Sequence, residues 1–298
     1  MRVTDKSLFL RMQTQINASR KKLEDASIAV STGKKVNALE DDPSVLQSQL
    51  KHDRQAAELE QSEKGLNRVK DKYKVYETTV KEIYNVMVDL RETMVQLSNP
   101  HLSQDVKATL ESQLEQIEKH LLALANTQHE EQYIFAGASS GAEAYNENGV
   151  YQGDNIELEA EILPGLKITS NITGQAIFGG AGDANGVDVF AMINEMQTML
   201  ASGVDAKEVV TGHLNDVDQI IEQTINQQTQ IGIRLSSIEV ASSTLGDLKM
   251  NLAQRRQDIE SVDYVTAITE YKAQEYALQA AMQANSNLIK PTLLSYLR

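Results

Sequence analysis

The chain has 298 residues, carries a formal charge of −14 and contains neither cysteine nor tryptophan. An acidic balance of this size excludes a general nucleic-acid binder, which relies on Lys and Arg to neutralise phosphates. Without cysteine there is no disulfide framework, thiolate metal site or Cys nucleophile, and no apolar run reaches the roughly 18 residues of a membrane-spanning helix.

The charge is unevenly placed. Residues 1–35 carry eight basic side chains against Asp5, Glu24 and Asp25, whereas residues 140–230 carry fourteen acids against Lys167 and Lys207. The middle of the chain is therefore an acidic, well-solvated surface. Charge interrupts the first thirty residues throughout, so they lack the apolar stretch of a cleavable signal peptide.

The first predicted helix has an apolar stripe through Phe9, Met12, Ile16, Leu23, Ala26 and Val30. A single stripe of this kind gains most of its stability from packing. Asp42-Pro43-Ser44 is a helix start: Asp42 is placed to cap free amides, and Pro43 suits a first position that needs no N–H. From there to Leu97 the spacing alternates three and four through Leu66, Val69, Tyr73, Tyr76, Val80, Ile83, Met87, Leu90, Met94 and Leu97. That period is a coiled-coil seam on a helix roughly 80 Å long, and Asn99-Pro100 ends it.

Ser103 is placed to cap the next helix, whose seam is Val106, Leu110, Leu114, Ile117, Leu121 and Leu124. The short connection predicts an antiparallel hairpin. Residues 137–187 break the pattern, being rich in Gly, Asn, Ala and Ser. Apolar/acidic alternation over Ile156–Ile162 predicts a strand with one wet face, and Leu163-Pro164-Gly165 a turn into a second strand over Leu166–Thr169. A short helix at about 188–201 leads out. Leu214, Val217, Ile221, Ile231, Leu235 and Ile238 then form a stripe that also carries polar Thr224 and Gln228. A last helix is predicted through Leu245, Leu248, Leu252, Ile259, Val262, Val265 and Ile268.

Residues 1–32 and 260–298 are expected to pair with each other or with neighbouring molecules, and the pattern alone leaves both open. The architecture expected is mainly α. An elongated antiparallel coiled-coil body is formed by the two ends of the chain, with a small β-rich domain inserted. Its parts are an N-terminal assembly coil and bend (1–42), a helical hairpin (43–136), the insert (137–205), a returning helix (206–259) and a C-terminal assembly coil (260–298).

A search for chemistry finds little. Five histidines, His52, His101, His120, His129 and His213, are scattered with no metal-ligand spacing. Asp41 and Asp42 read as helix capping rather than a catalytic pair. Gly179-Gly180-Ala181-Gly182-Asp183 lacks the Lys-Ser/Thr of a phosphate loop, and Asp183–Gly186 lacks the closing Glu of a calcium loop. No catalytic residue, cofactor or metal is assigned.

Several strings together resemble the flagellin superfamily. They are Met1-Arg2-Val3-Thr4, Leu23-Glu24-Asp25-Ala26 and Ser31-Thr32-Gly33-Lys34-Lys35-Val36-Asn37 running on to Asp41-Asp42-Pro43-Ser44. At the other end stand Gln230–Leu235, Ala277–Met282 and Leu293–Leu297. Glu131–Gly137, followed by Tyr151-Gln152-Gly153-Asp154, is similar to the string that enters the outer domain in the hook-associated branch. Asp42-Pro43-Ser44, where filament flagellins usually continue Ala-Ala-Gly, favours the same branch. Leu293-Leu294-Ser295-Tyr296 departs from the more usual Leu-Asp-Tyr-Leu close.

The resemblance implies a non-enzymatic structural subunit at the junction of hook and filament, outside the cell, exported unfolded through the flagellar type III channel without a cleaved signal peptide. It implies self-assembly into a ring, contact with a neighbouring junction protein and with flagellin, and a cytoplasmic export chaperone on the C-terminal segment. Neither nucleic acid nor membrane is expected as a partner. The residues placed in the assembly seam are Phe9, Met12, Ile16, Leu23, Leu278, Met282 and Ile289, with Gly33, Asp42 and Pro43 at the bend. The alternatives are filament flagellin itself or a helical signalling or binding module, which would have ordered ends in a stable dimer.

Overall fold

A computed structural model describes residues 2–35, 43–163, 165–180, 187–202 and 205–296. Asp42, Pro164 and residues 181–186 lie outside the described residues, and the side chain of Ile289 is likewise not described. Two compact units are present, one of residues 60–246 and the other of residues 1–59 with 247–298.

The first unit is built on α2 (Pro43–Leu97), α3 (Gln104–Ala125) and α6 (Ala206–Glu260). Every residue of the predicted α2 seam from Leu66 to Leu97 is buried. The strict three-four spacing keeps one stripe turned inward over nine helical turns, and each large apolar side chain removed from water contributes about 1.5–3 kcal/mol. Thr79, Val86 and Thr93, seven apart beside that stripe, are also buried. They widen the apolar face beyond a two-helix seam.

Ser103 caps α3 as its spacing predicts, its hydroxyl accepting from the Val106 amide at 3.4 Å. Of the predicted α3 seam, Leu110, Leu114, Ile117 and Leu121 are buried, Leu124 is half-buried with its neighbour Ala125 buried instead, and Val106 is exposed. On α6 the buried ladder is Val217, Thr224, Ile231, Ile238 and Leu245 at seven-residue steps, joined by Ile220 and Ala241. The predicted stripe members Leu214, Ile221 and Leu235 are only half-buried. The face is rotated from that stripe because Ala241 and the Arg234 stem fill core-facing positions that a count of large apolar residues misses. α2 and α6 are antiparallel: Lys70 pairs with Glu239 at 3.9 Å, the Arg234 guanidinium donates to the Tyr73 hydroxyl at 2.9 Å, and Arg91 pairs with Asp218.

Between α3 and α6 lie β1 (Gln128–His129), β2 (Gln132–Tyr133), β3 (Glu159–Leu163), β4 (Leu166–Thr169), α4 (Gln175–Phe178) and α5 (Val189–Ala201). β3 and β4 pair antiparallel, Glu159 opposite Thr169 and Glu161 opposite Lys167, with an irregularity between Glu161 and Leu163. The strand starts three residues later than its alternation predicts because side chains replace the ladder upstream. Asn171 accepts from the Leu158 amide and donates to the Ile156 carbonyl, both at 2.8 Å, while Asp154 accepts from the Ile156 amide. α5 begins where predicted, capped by Asp188, which accepts from the Phe190 and Ala191 amides.

The core of this segment is aromatic rather than β. Tyr73 and Tyr76 on α2 begin a chain of ring contacts that continues through Phe135, Phe178 and Phe190 to Tyr145 and Tyr151, with centroids 5.0–5.9 Å apart. Such pairs add about 0.5–1.5 kcal/mol each beyond area burial, which lets a region with few strands hold a fixed shape.

Candidate assembly surface

The second unit contains both ends of the chain: α1 (Arg2–Thr32), α7 (Tyr264–Tyr296), the start of α2 and the end of α6. α1 ends at Gly33, whose φ of 69° and amide bond to the Ala29 carbonyl at 3.0 Å make a left-handed helix stop. A side chain there would also meet the Tyr264 hydroxyl at 2.6 Å, so glycine satisfies two demands at the predicted bend.

Beyond Gly33 the chain pairs with the segment that joins α6 to α7. The Lys35 amide donates to the Glu260 carbonyl at 2.8 Å and the Val262 amide to the Gly33 carbonyl at 2.9 Å. The helix predicted to run from Leu245 through Ile268 is thus interrupted at Ser261–Asp263, because these backbone groups bond across the bridge instead of along a helix. Asp263 then caps α7, accepting from the Val265 amide at 2.9 Å and the Thr266 hydroxyl at 3.1 Å. Those bonds hold its carboxyl below the usual range.

A charged cluster ties the same corner. Glu260 receives the Arg256 guanidinium at 2.7 Å and the Lys34 ammonium at 3.5 Å, and Arg256 reaches Asp53 at 3.1 Å. Burial alone would push Glu260 up; the two cations outweigh it and hold the carboxyl below its ordinary value.

α1 and α7 pack on each other, antiparallel because the end of α1 lies at the start of α7. On α1 the half-buried line is Met12, Ile16, Ser19, Leu23, Ala26 and Val30; on α7 it is Tyr271, Gln274, Leu278, Ala281 and Asn285, following buried Ala267. Met12, Ile16, Leu23 and Leu278 therefore lie in the line between the two helices. Phe9 is 58% exposed and Met282 44% exposed. Further apolar side chains stand in water beside them: Leu10 and Ile28 on α1, and Val265, Ile268 and Tyr276 on α7. Val265 and Ile268 close the stripe predicted for the last helix yet stand exposed, and Tyr276 lies outside that stripe.

The decisive contrast is in the core. In this unit Ala267, at 6% exposure, is the one described residue that is buried. Two helices meet along single stripes and leave apolar side chains exposed on their other faces.

The two central strings singled out in the sequence interlock in the other unit. Three successive carbonyls of the first string are held by different segments: Ile134 accepts from the Tyr76 hydroxyl, Phe135 from the Gly174 amide and Ala136 from the Asp154 amide. Asp154 also accepts from the Ala138 amide and the Ser139 hydroxyl, both at 2.8 Å, and these bonds keep its carboxyl below the usual range. Gly137, at φ 76°, is required because a side chain would strike the Asp154 carbonyl oxygen at 2.1 Å. These bonds clasp the two strings together; among the described residues no three His, Asp or Glu side chains group as metal ligands.

A helical subunit that joins both ends of its chain in one open layer is the class of molecule this geometry defines. Residues 3–140 match the bacterial flagellin N-terminal helical region and residues 214–297 the bacterial flagellin C-terminal helical region, and the chain belongs to the flagellin superfamily. Within it, the chain is 24% identical over 307 aligned positions to flagellar hook-associated protein 3 of Escherichia coli, covering 97% of each. The fold is shared with Bacillus cereus FlgL (TM-score 0.59, 21% identity, 70% of this chain and 99% of that one). It is shared also with the flagellar junction protein FlgL of Legionella pneumophila (TM-score 0.57, 16% identity, 72% and 99%).

Proposed function

We infer that this chain is a structural subunit of the bacterial flagellum at the junction of hook and filament, and that it acts by assembly rather than catalysis. The observation that carries the reading is the open terminal unit: two helices paired along one stripe, almost without a closed core, in a chain aligned nearly end to end with a hook-associated protein. Repeated head-to-tail contacts about an axis close into a ring or wind into a helix, as a tubular joint requires. The exposed apolar residues of α1 and α7, with Phe9 and Met282 among them, supply those contacts to neighbouring copies and to adjoining junction protein and flagellin. The acidic insert faces outward on this reading.

Export follows from the same chemistry. A chain without cysteine cannot be trapped by disulfides on its way through a narrow channel to the cell exterior, and terminal helices with incomplete packing are readily kept unfolded by a chaperone on the C-terminal segment. Immunogold labelling of isolated flagella tests the reading. A single band at the outer end of the hook is expected; labelling along the whole filament would instead make the chain a filament flagellin.

A further inference from the structure

α6 is apolar on two sides. Its buried ladder from Val217 to Leu245 faces the core of the unit of residues 60–246. On the opposite side of the helix a second strip runs through Ile225, Thr229, Ile233, Ser237, Val240 and Thr244, at steps of three and four. All six are exposed, Ile225 at 43%, Ile233 at 55% and Val240 at 65%. The three hydroxyls turn back onto the helix and donate to the Ile225, Ile233 and Val240 carbonyls at 2.9–3.0 Å, so their protons are spent within the strip.

Charge avoids this stretch. Between Glu222 and Asp247 only Arg234 and Glu239 are charged, in a chain where 23% of the residues are. Both lie off the strip and reach α2 instead, Arg234 at the Tyr73 hydroxyl and Glu239 at Lys70. The unit as a whole is the reverse: residues 60–246 carry 28 acidic against 12 basic side chains, a formal charge of −16.

An uncharged, largely apolar strip of this length held in water is a contact surface, and charge identifies its occupant. Two copies of so acidic a unit repel wherever carboxylates approach, whereas along a neutral strip they touch without burying an unpaired charge. A basic partner would gain more on the carboxylate-bearing faces. The strip is about 30 Å long and about 10 Å wide, so it covers about 300 Å², well short of the roughly 800 Å² per partner of a stable pair. It therefore acts where many contacts form at once, not between two free subunits.

We propose that this strip of α6 is a contact face for a second copy of this chain, open in the free subunit and covered in the assembled flagellum. The proposal rests on the assembly reading but uses a different surface, since neither α1 nor α7 contributes to it.

Because the chain has no cysteine, single cysteines report each face. Ser237→Cys, Glu77→Cys on the charged side of α2 and Met282→Cys on α7 are labelled with a maleimide in the isolated full chain and in purified flagella. Ser237→Cys is expected to lose most of its reactivity in flagella, and Glu77→Cys to label at the same rate in both. With photoreactive p-benzoylphenylalanine in place of Ser237, irradiated flagella are expected to give a crosslink to a peptide of this same chain. In solution, self-association of the unmodified chain should strengthen as sodium chloride rises, because salt screens repulsion between like-charged copies. Ile233→Glu should weaken that association about tenfold and leave the thermal midpoint of the subunit unchanged. If Ser237→Cys stays reactive in flagella while Met282→Cys is protected, the chain assembles without this face and the proposal fails; if neither is protected, the assembly reading fails with it. Equal protection of Glu77→Cys, a crosslink to another protein, or association that weakens with salt would overturn the choice of a second copy.

Discussion

Tyr73 on α2 and Arg234 on α6 meet across the antiparallel pair, the guanidinium Nη1 donating to the phenol oxygen at 2.9 Å while that phenol donates to the Thr169 carbonyl at 2.6 Å. One hydroxyl thus joins two long helices and the β hairpin. Tyr73→Phe leaves a guanidinium and a carbonyl short of partners at a part-buried position, and it is expected to cost about 1–3 kcal/mol. Combined with Arg234→Met, the loss in urea denaturation comes out smaller than the sum of the two single losses, because each removes the same bond. Strict additivity would show that the contact contributes nothing to stability.

Tyr145 predicts the opposite sign. Its ring sits among Tyr151, Phe178 and Phe190, but its buried hydroxyl has no hydrogen-bond partner among the described residues. An unpaired buried hydroxyl costs about 1–3 kcal/mol. Tyr145→Phe keeps the ring contacts and removes that cost, so the thermal midpoint should rise. A fall would mean that the hydroxyl is satisfied in solution.

Buried phenols also set an alkaline limit. Burial pushes Tyr73, Tyr76 and Tyr145 above their ordinary value and raises Tyr151 to about 12. A phenol with a folded pKa above its unfolded value of about 10 keeps its proton in the native state after the unfolded chain has lost it. Its contribution is therefore complete below about pH 10 and is lost as pH rises towards the folded value. Each such tyrosine adds a slope of up to about 1.4 kcal/mol per pH unit. The urea midpoint should be flat near pH 9 and fall steeply above about pH 10, with the share of tyrosinate absorbance that belongs to these four phenols appearing only as the fold is lost.

The α2 seam was legible because ten large apolar residues keep one spacing without interruption, and burial then follows from geometry alone. α6 was less so: where Ile220 and Ile221 are adjacent, spacing cannot choose between them, and the choice is made by the partner helix. The β1–β2 turn was illegible for a different reason. Glu130 and Glu131 adopt φ of 51° and 63°, a conformation for which Asn-Gly is the usual signal, so surrounding contacts override the local preference. The aromatic core joins Tyr73 to Phe190 through residues far apart in the chain, which no periodicity links. In the terminal helices the stripes of α1 were visible, but the break at Ser261–Asp263 depends on backbone bonds to Gly33 and Lys35 that only the folded chain brings together.

Leu278 and Met282 separate pairing within the chain from pairing between chains. Leu278 lies in the half-buried line that faces α1, whereas Met282 is one position off that line and 44% exposed. Leu278→Ser removes apolar contact from the α1–α7 pair at a cost of about 1–2 kcal/mol, so amide exchange in both helices of the isolated subunit should quicken about tenfold. Met282→Ser removes a side chain that stands off the paired line, and its exchange pattern should stay much closer to the parent's than that of Leu278→Ser. In assembly, Met282 counts once in every repeated contact, so the concentration needed for self-association should rise several-fold on losing about 1 kcal/mol per interface. If Met282→Ser instead loosened the isolated helices and left self-association unchanged, the exposed face of α7 would not be the one that meets neighbouring copies.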